Sequence, residues 1–416
     1  MLLLYNVSIR LYYVAICIAS LWNKKAKRWL EGRKDWEKKL AQRISNGDDF
    51  IWMHCSSAGE FEQGKPLAEA LKKQFPRYKL LITFFSPSGY EEVKNYTAAD
   101  VAAYLPLDTN NNAERFLKLV NPKLAIFVKY EFWFHYLSQA ASNKIPLLLI
   151  SAVFRKEQIF FKPYGRFFQN ILRFFQNIFV QDQASAALLK ENGIQPVSIS
   201  GDTRFDRVKE IVDAAETVPA IQGFLQNKKS IVAGSTWGDD EGLLQEFIAT
   251  NKEVKLILAP HEVTETHLRQ LLILFPQAIF YSSLKKQNAA VEAQVLIIDS
   301  VGLLSRLYQL ATITYVGGGF TKDGIHNVLE AAVWSKPVVF GPNYKKYREA
   351  KELIEAGGGF SIGNGEELAR VTGELFANPQ RLSTANKNAG VYVEQNTGAT
   401  EKIMRVIQEN RLLTKL

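Results

Sequence analysis

Residues 311–340, ATITYVGGGFTKDGIHNVLEAAVWSKPVVF, contain the pattern on which the fold depends. Residues 312–316 form a short β-branched run, which is typical of a buried parallel strand. The glycine triplet 317–319 allows the backbone to turn tightly and a ligand to approach it closely. The apolar spacing of residues 327–334 predicts a short helix, which Pro337 helps to end. The stretch therefore predicts a βαβ unit with a glycine-rich loop.

A helix that opens after a glycine loop directs free N–H groups and the positive end of its dipole at the loop, so phosphate is the expected guest. Glu330 falls in the first turn of that helix, where a carboxylate can accept hydrogen bonds from ribose hydroxyls. The alternative is a purely structural βαβ unit. The chain contains neither G-x-x-x-x-G-K-[ST] nor G-x-G-x-x-G, which excludes an ATPase loop and a dinucleotide fingerprint.

The composition is that of a folded protein, with 47% hydrophobic residues in 416, a length that predicts two domains. Cys17 and Cys55 are the two cysteines, too few for a disulfide framework or a zinc motif, which suits a reducing compartment. The net charge is +9, and residues 24–43 carry nine basic and three acidic residues. Nucleic-acid binding would favour a basic stripe across a folded domain, so no nucleic acid is expected.

The N-terminal residues 1–22, MLLLYNVSIRLYYVAICIASLW, are apolar enough for a marginal membrane span with Arg10 near its middle. The basic block follows directly, and positive charge flanks the cytoplasmic side of membrane segments and attracts anionic lipid heads. We expect residues 1–44 to form a membrane anchor and a basic helix, with the rest of the chain in the cytoplasm. The alternative is an amphipathic helix packed on the protein.

Strands alternate with helices from residue 45 onward, which predicts a doubly wound parallel sheet of the α/β class. We expect a first Rossmann-like domain over residues 45–205, a linker over 206–228, a second such domain over 229–385 and a helical tail over 386–416. Ligands bind beyond the carboxyl ends of such strands. The polar residues just beyond predicted strand ends in the first domain are Glu60, residues 86–88, Asp108 and Glu131.

In the second domain, Thr236 and Asp239 have the spacing of a capping box. Residues 342–359 predict a helix rich in Lys and Glu. Between residues 153 and 179, pairs of phenylalanines recur every seven residues with basic residues between them, which predicts one helix face that lies on a membrane or binds acyl chains and phosphates. A core-facing helix is the alternative. The residues are Phe160, Phe161, Arg166, Phe167, Phe168, Arg173, Phe174 and Phe175.

Several motifs together resemble one family. They are HCSSAGEFEQGKPL, SPSGYE, KYEFW, SGDTRFD, VAGSTWGDDE, LAPHEVTE, VGGGFTKDGIHNVLEAA and PVVFGPNYKKYRE. Their order and spacing are similar to those of the 3-deoxy-D-manno-octulosonic acid (Kdo) transferases of Gram-negative bacteria, over nearly the whole chain. The resemblance implies a GT-B glycosyltransferase, with two Rossmann-like domains and a cleft between them.

The resemblance also implies the reaction, an inverting transfer of Kdo from CMP-Kdo to a lipid A precursor in the membrane. Glu60 would be the general base, and Glu131 and Arg204 would stabilise the transition state. The residues that would hold CMP are Pro260, His261, Val301, Gly302, Leu303, Gly318, Asn327, Val328, Leu329 and Glu330. The family usually has Lys where Arg204 stands, and usually Arg-His where this chain has His261-Glu262.

No metal cofactor is expected, because the chain contains no Asp-x-Asp and the spacing of His261, Glu262 and His267 does not fit a zinc helix. Residues 239–241 are interpreted as acids at a helix start. Two other functions stay open. One is a GT-B relative, such as a UDP-sugar 2-epimerase or a transferase that uses UDP or ADP sugars. The other is a non-catalytic membrane adaptor that binds a nucleotide sugar.

Overall fold

The computed structural model describes residues 1–45, 47–213, 218–284 and 292–414. Two compact units are present. The N-terminal unit contains Met1–Arg207 together with Thr397–Leu416, and the C-terminal unit contains Val208–Asn396. Each unit is built on one seven-stranded parallel sheet, so the predicted α/β class is confirmed.

The sheet of the N-terminal unit has the strand order β3-β2-β1-β4-β5-β6-β7. Its strands are β1 (Phe50–Cys55), β2 (Lys79–Phe84), β3 (Val101–Tyr104), β4 (Pro122–Val128), β5 (Leu147–Ala152), β6 (Asn177–Val180) and β7 (Val197–Ile199). Its helices are α1 (Leu2–Ala19), α2 (Lys24–Arg33), α3 (Trp36–Ala41), α4 (Ala58–Gln74), α5 (Pro87–Val93), α6 (Asn110–Val120), α7 (Phe134–Ser142), α8 (Arg166–Leu172) and α9 (Gln183–Glu191), and α10 (Thr203–Asp213) begins in this unit.

The strand β1 lies at the centre of this sheet, with Met53 opposite Ile82 of β2 and Ile126 of β4. Every residue of β1 is buried, as expected for a parallel strand with helices on both faces. Phe50 and Trp52 pack into the core on one face, and Ile51 and Met53 into the core on the other.

The sheet of the C-terminal unit has the order β10-β11-β9-β8-β12-β13-β14. Its strands are β8 (Ser230–Thr236), β9 (Lys255–Pro260), β10 (Ile279–Phe280), β11 (Val295–Ile297), β12 (Ile313–Val316), β13 (Val338–Phe340) and β14 (Gly359–Ser361). Its helices are α11 (Pro219–Leu225), α12 (Gly238–Thr250), α13 (Glu265–Leu274), α14 (Tyr281–Leu284), α15 (Leu304–Leu307), α16 (Leu329–Ala332), α17 (Arg348–Glu355), α18 (Gly365–Ala377) and α19 (Pro379–Gln395).

The last helix, α20 (Ala399–Glu409), belongs to the N-terminal unit. Its residues Ile403, Met404 and Ile407 are buried in the same core as Leu67 and Leu71 of α4. The C-terminal end of the chain therefore covers part of one face of the first sheet.

Two helix predictions differ from the structure. The helix after the glycine loop is α16 alone, four residues long rather than the eight of 327–334. The helix predicted for 342–359 is only α17, and β14 begins at Gly359. The expected linker 206–228 contains the end of α10 and all of α11; residues 214–217 of it, and residues 415–416 of the expected tail, lie outside the described residues.

The single helix predicted between residues 153 and 179 is wrong. This segment contains a 3-10 helix at Ile159–Phe161, then α8, then β6. Pro163 has no backbone N–H to donate, and a side chain at Gly165 would meet the carbonyl oxygen of Ile159 at 1.6 Å, so the chain turns here instead of continuing.

The phenylalanine pairs consequently share no helix face. Phe160 and Phe175 are buried in the core, and Phe161, Phe167, Phe168 and Phe174 are half-buried against it. Arg166 and Arg173 are exposed. Burial argues against a lipid contact for Phe160 and Phe175 and favours the core-facing alternative for them.

The apolar N-terminal segment forms α1, in which no residue is buried. Among the described residues, α1 is the one helix that is long and apolar enough to cross a membrane. One stripe along it, made of Leu3, Val7, Leu11, Val14 and Ile18, is between 44 and 75% exposed. The opposite side carries Tyr5, whose ring contacts Phe134 and Phe167 of the N-terminal unit. The helix is therefore docked on the unit by one side and leaves an apolar side uncovered.

Candidate active site

Glu60 lies in the first turn of α4, directly beyond the carboxyl end of β1. Its side chain folds back over the start of the helix, where Oε2 accepts a hydrogen bond of 2.5 Å from the backbone N–H of Ser56. Burial, and then the negative charge of Glu131, raise the pKa of Glu60 to about 7, against the opposing effects of the Ser56 hydrogen bond and of Lys129. A carboxylate with a pKa near neutrality is suited to act as a general base.

Glu131 lies in the loop that follows β4, which we call the catalytic loop (residues 129–133). The loop begins at Lys129, whose φ of 68° turns the chain away from the strand. The Glu131 side chain is buried, and its Oε2 accepts hydrogen bonds from Trp133 Nε1 at 2.5 Å and from His54 Nε2 at 3.0 Å. Glu60 and Glu131, which the sequence placed beyond two different strands, are thus close enough to influence one another.

A chain of buried hydrogen bonds orients His54 toward Glu131. Trp52 Nε1 donates to Thr83 Oγ1 at 2.8 Å, and Thr83 Oγ1 lies 2.9 Å from His54 Nδ1. An indole nitrogen can only donate, so the Thr83 hydroxyl oxygen accepts from Trp52, and its own proton is available for Nδ1. Nδ1 also lies 3.1 Å from the Thr83 carbonyl oxygen. We assign the ring proton of His54 to Nε2. Nδ1 then accepts from the Thr83 hydroxyl, the shorter of its two contacts, and Nε2 is a second donor to Glu131.

Arg204 lies at the start of α10, where it pairs with Asp202. Its Nε and Nη2 donate to Asp202 Oδ2 at 2.9 and 2.7 Å. About a quarter of the Arg204 side chain is exposed, 26%, against 8% for Asp202. The guanidinium is therefore held in a fixed position at the carboxyl edge of the first sheet, and its role toward a substrate stays a prediction.

The glycine loop of the C-terminal unit packs closely against backbone. A side chain at Gly317 would meet the carbonyl oxygen of Ser235 at 2.4 Å, and one at Gly319 would meet Gly341 at 2.5 Å. Gly318 has a φ of 86°, which favours glycine. The main reason for the glycines in this loop is therefore steric, because the ends of β8 and β13 leave no room for side chains.

Asp240 of α12 holds this loop in place. Its carboxylate is buried and accepts hydrogen bonds from Tyr315 Oη at 2.7 Å, from Gly318 N at 2.9 Å and from Trp237 N at 3.0 Å. The capping pair predicted at Thr236 and Asp239 is therefore one residue out of register, since α12 has Trp237 as its N-cap. Asp240 is more than an acid at a helix start, because it joins α12, β12 and the glycine loop.

Three aromatic rings form a stack beside the loop. The rings of Trp237 and His261 lie 4.6 Å apart and those of His261 and His326 lie 4.4 Å apart. Burial, and the neighbouring His261, lower the pKa of His326 to about 4, so this imidazole is neutral at physiological pH. The stack borders a cavity of about 270 Å³. The other residues that line the cavity are Thr321, Asp323, Gly324, Ile325 and Tyr347.

The residues predicted to hold CMP follow three strands of the same sheet, β9, β11 and β12. Val301 is exposed and Gly302 has a φ of 88°, whereas Val328 and Leu329 are fully buried and present no surface to a ligand. Asn327 Nδ2 donates to Glu330 Oε1 at 3.1 Å, and Asn327 Oδ1 accepts from Leu329 N at 3.1 Å. Asn327 thus caps α16 and orients Glu330, and the four-residue helix itself has only a small dipole.

Comparison with known proteins finds similarity to one family. The family model described as 3-Deoxy-D-manno-octulosonic-acid transferase (kdotransferase) matches residues 27–207. The 3-deoxy-D-manno-octulosonic acid transferase of Aquifex aeolicus is 29% identical over 363 residues, which cover 85% of this chain and 94% of that protein. The protein of the same name from Haemophilus influenzae is 25% identical, over 86% of each chain. The chain is thus similar to Kdo transferases over most of its length.

Solved structures support the GT-B fold. The UDP-GlcNAc 2-epimerase from Neisseria meningitidis superposes with a TM-score of 0.61 at 15% identity, over 86% of this chain and all of that one. Acinetobacter baumannii MurG superposes with a TM-score of 0.55 at 13% identity, over 87% of this chain and 99% of that one. At such low identities the likeness extends to the fold alone, so the similarity to Kdo transferases rests on sequence.

The part of the chain that the family model matches contains Glu60, Glu131 and Arg204. Sequence reasoning did not identify the hydrogen-bond chain of Trp52, Thr83 and His54, or the role of Trp133. One signal was present, since His54 interrupts a strand that is otherwise apolar. A polar side chain in a strand buried on both faces must find a partner.

Glu131→Gln is expected to move the acid limb of the pH–rate profile to lower pH. Burial and the charge of Glu131 both raise the pKa of Glu60, so removal of that charge leaves burial alone and lets Glu60 ionise at lower pH. Lys129 lowers the pKa of Glu60. Burial raises the pKa of Cys55, so this side chain stays a neutral thiol. kcat/KM measured between about pH 5 and 9 tests this. An unchanged limb would show that Glu131 does not act on Glu60 through charge.

Proposed function

We propose that this protein transfers Kdo from CMP-Kdo to the sugar head of a lipid A precursor, with inversion at the anomeric carbon, in lipopolysaccharide biosynthesis. The observation that carries the proposal is the pairing of Glu60 and Glu131 at the carboxyl edge of the first sheet, within the part of the chain that the family model matches. Two Rossmann-like units of the GT-B class and a glycine loop in the second unit are consistent with a nucleotide-sugar donor.

Glu60 carries out the proton transfer in this proposal. Its carboxylate takes the proton of an acceptor hydroxyl as the oxygen of that hydroxyl attacks the anomeric carbon of Kdo. The bond between that carbon and the phosphate oxygen of CMP breaks at the same time, and CMP leaves with the electron pair. One displacement from the face opposite the leaving group inverts the configuration. CMP is a phosphate monoester and departs more easily than an alkoxide.

Glu131 and Arg204 have supporting roles. Glu131 raises the pKa of Glu60, so that the base takes a proton from the acceptor at neutral pH and can release it afterwards. Arg204, fixed by Asp202, supplies a positive charge for a substrate that carries its own carboxylate. No step needs a metal, and we expect turnover to continue in the presence of EDTA.

The product of a defined reaction tests the proposed function. Full-length protein incubated with CMP-Kdo and a tetra-acylated lipid A precursor should yield CMP and an acceptor whose mass has increased by one or more Kdo residues. Mass spectrometry reads both, and the number of added residues follows from the same spectrum. UDP-GlcNAc in place of CMP-Kdo should give neither transfer nor epimerisation. Epimerised UDP-GlcNAc, with no Kdo product, would assign the chain to a different reaction.

Glu330→Ala is expected to weaken CMP binding while the fold is kept. Glu330 is half-buried and held by Asn327. In this proposal its carboxylate accepts hydrogen bonds from the ribose hydroxyls of CMP. Hydrogen bonds to a charged group contribute about 1.5–3 kcal/mol, so the dissociation constant for CMP should rise about ten- to a hundredfold. Calorimetric titration with CMP measures this change. An unaltered affinity in a variant with a normal melting temperature would remove Glu330 from the donor site.

The membrane location is also part of the proposal. The apolar side of α1 and the basic residues that follow it would hold the protein on the inner membrane, with both units in the cytoplasm. Vesicle flotation of the full chain with anionic and neutral lipids reports this binding.

A further inference from the structure

The start of α7 lies immediately after the catalytic loop and needs hydrogen-bond acceptors from elsewhere. α7 begins at Phe134, and its first backbone N–H groups have no partner within the helix. The N-cap residue is Trp133, which makes no side-chain capping bond. Because only Phe132 and Trp133 separate α7 from Glu131, whatever fixes the start of α7 also fixes Glu131.

Asp108 and Tyr5 supply the missing acceptors. Asp108, which is 1% exposed, accepts from His135 N and Tyr136 N, both at 3.1 Å. The hydroxyl of Tyr5, in α1, donates to Asp108 and accepts from Phe134 N at 3.2 Å. The first three N–H groups of α7 are therefore bound by a carboxylate from the loop after β3 and a phenol from the N-terminal helix.

A second polar contact joins α1 to the same place. His135 Nε2 lies 2.6 Å from Asn6 Oδ1, an amide oxygen that can only accept, so the imidazole donates through Nε2. Burial lowers the pKa of His135, which keeps the ring neutral. The ring of Tyr5 adds contacts with Phe134 and Phe167, with centroids 5.9 and 5.8 Å away. If α1 served only to attach the protein to a membrane, it would not need polar contacts with residues next to the catalytic loop.

We infer that α1 is a positioning element of the catalytic loop: Tyr5 and Asn6 hold the start of α7, and through it Glu131, in the geometry that turnover requires. The inference rests on the proposed function for the role of Glu131. It assigns to the N-terminal helix a part in the chemistry that is separate from membrane attachment. Detachment of α1 from the unit would remove Tyr5 Oη, the acceptor of Phe134 N, and Asn6 Oδ1, the acceptor of His135 Nε2, and so loosen the segment next to Glu131.

Tyr5→Phe tests the inference with the smallest change. The ring and its apolar contacts stay, and only the hydroxyl that joins Asp108 to Phe134 is lost. We expect kcat to fall about tenfold, because a buried donor without a partner costs about 1–3 kcal/mol, while the KM for CMP-Kdo is unchanged. Tyr13→Phe is the matched control, since it makes the same change on the same helix at a hydroxyl that contacts Cys17 within α1. Both variants should bind vesicles like the parent protein.

Hydrogen exchange gives a readout that does not depend on turnover. The amides of Phe134, His135 and Tyr136 should exchange about tenfold faster in Tyr5→Phe and in Asn6→Ala than in the parent protein, and Tyr13→Phe should leave them unchanged. Unaltered exchange and kcat in both variants would overturn the inference. If the parent protein makes no Kdo product, the proposed function fails, and the exchange data alone decide whether α1 holds the start of α7.

Discussion

Glu60→Gln is expected to lower kcat/KM for Kdo transfer by about two to four orders of magnitude, the range that a general base contributes. The amide keeps the size of the side chain and can still accept the hydrogen bond from Ser56 N, but it cannot take a proton from the acceptor. CMP affinity should be unchanged, because CMP binding is proposed for the C-terminal unit. Initial rates at saturating CMP-Kdo and calorimetry with CMP measure the two effects separately.

Glu62→Gln is the control for this substitution. Glu62 lies on the same helix two residues later, is 46% exposed at the side chain and pairs with Arg207 at 3.5 Å. The same chemical change at this position should leave turnover near the parent value. Near-normal turnover in Glu60→Gln would remove Glu60 from the catalytic machinery, and equal losses in both variants would indicate damage to α4.

Asp240→Ala is expected to destabilise the C-terminal unit by more than about 3 kcal/mol, since each buried polar group left without a partner costs about 1–3 kcal/mol. Three donors lose their acceptor at once: Tyr315 Oη, Gly318 N and Trp237 N. Gly318 would no longer be held, so CMP binding should be lost together with stability. Thermal melting and calorimetric titration with CMP report the two losses.

Asp239→Ala is the matched control for this experiment. Asp239 is exposed and adjoins Asp240 in the first turn of α12, so the same truncation there removes a charge near the helix N-terminus but no buried acceptor. Its effect should stay within about 1 kcal/mol. A melting temperature for Asp240→Ala equal to that of Asp239→Ala would show that the carboxylate does not hold the glycine loop.

The alternation of strands and helices was predictable because parallel strands buried on both faces are continuous apolar runs. Phe50–Cys55 and Ser230–Thr236 are examples, and both are present in the structure. Helix lengths were less predictable. The apolar spacing of residues 327–334 suits a helix, but the structure forms only Leu329–Ala332, with Asn327 as a side-chain cap. The recurrence of phenylalanines every seven residues did not correspond to one continuous helix, because Pro163 and Gly165 interrupt the segment.

The candidate site was predictable only in part. The position of Glu60 and Glu131 beyond strand ends, together with the family resemblance, marked them as candidates. The contacts that tune them were not visible, because they join residues far apart in the chain. His54 meets Glu131 across 77 positions, and Asn6 meets His135 across 129. Local periodicity carries no information about such pairs, and a lone polar residue such as His54 signals only that some partner exists.

The docking of α1 fixes the distance between the catalytic loop and the lipid in the proposed membrane-bound state. Its Tyr5 side contacts the start of α7, and its apolar stripe faces away from the unit. A helix with side chains is about 10–12 Å across, so in the proposed membrane-bound state the catalytic loop stands roughly one helix diameter above the depth that the stripe reaches. In that proposed state the helix acts as a spacer. An acceptor is then selected by the distance between its sugar hydroxyl and its acyl chains. In the same proposed state, the hydroxyl of a lipid with a short head group reaches Glu60 while the lipid stays in the bilayer. The hydroxyl of a lipid with an extended head group lies beyond Glu60.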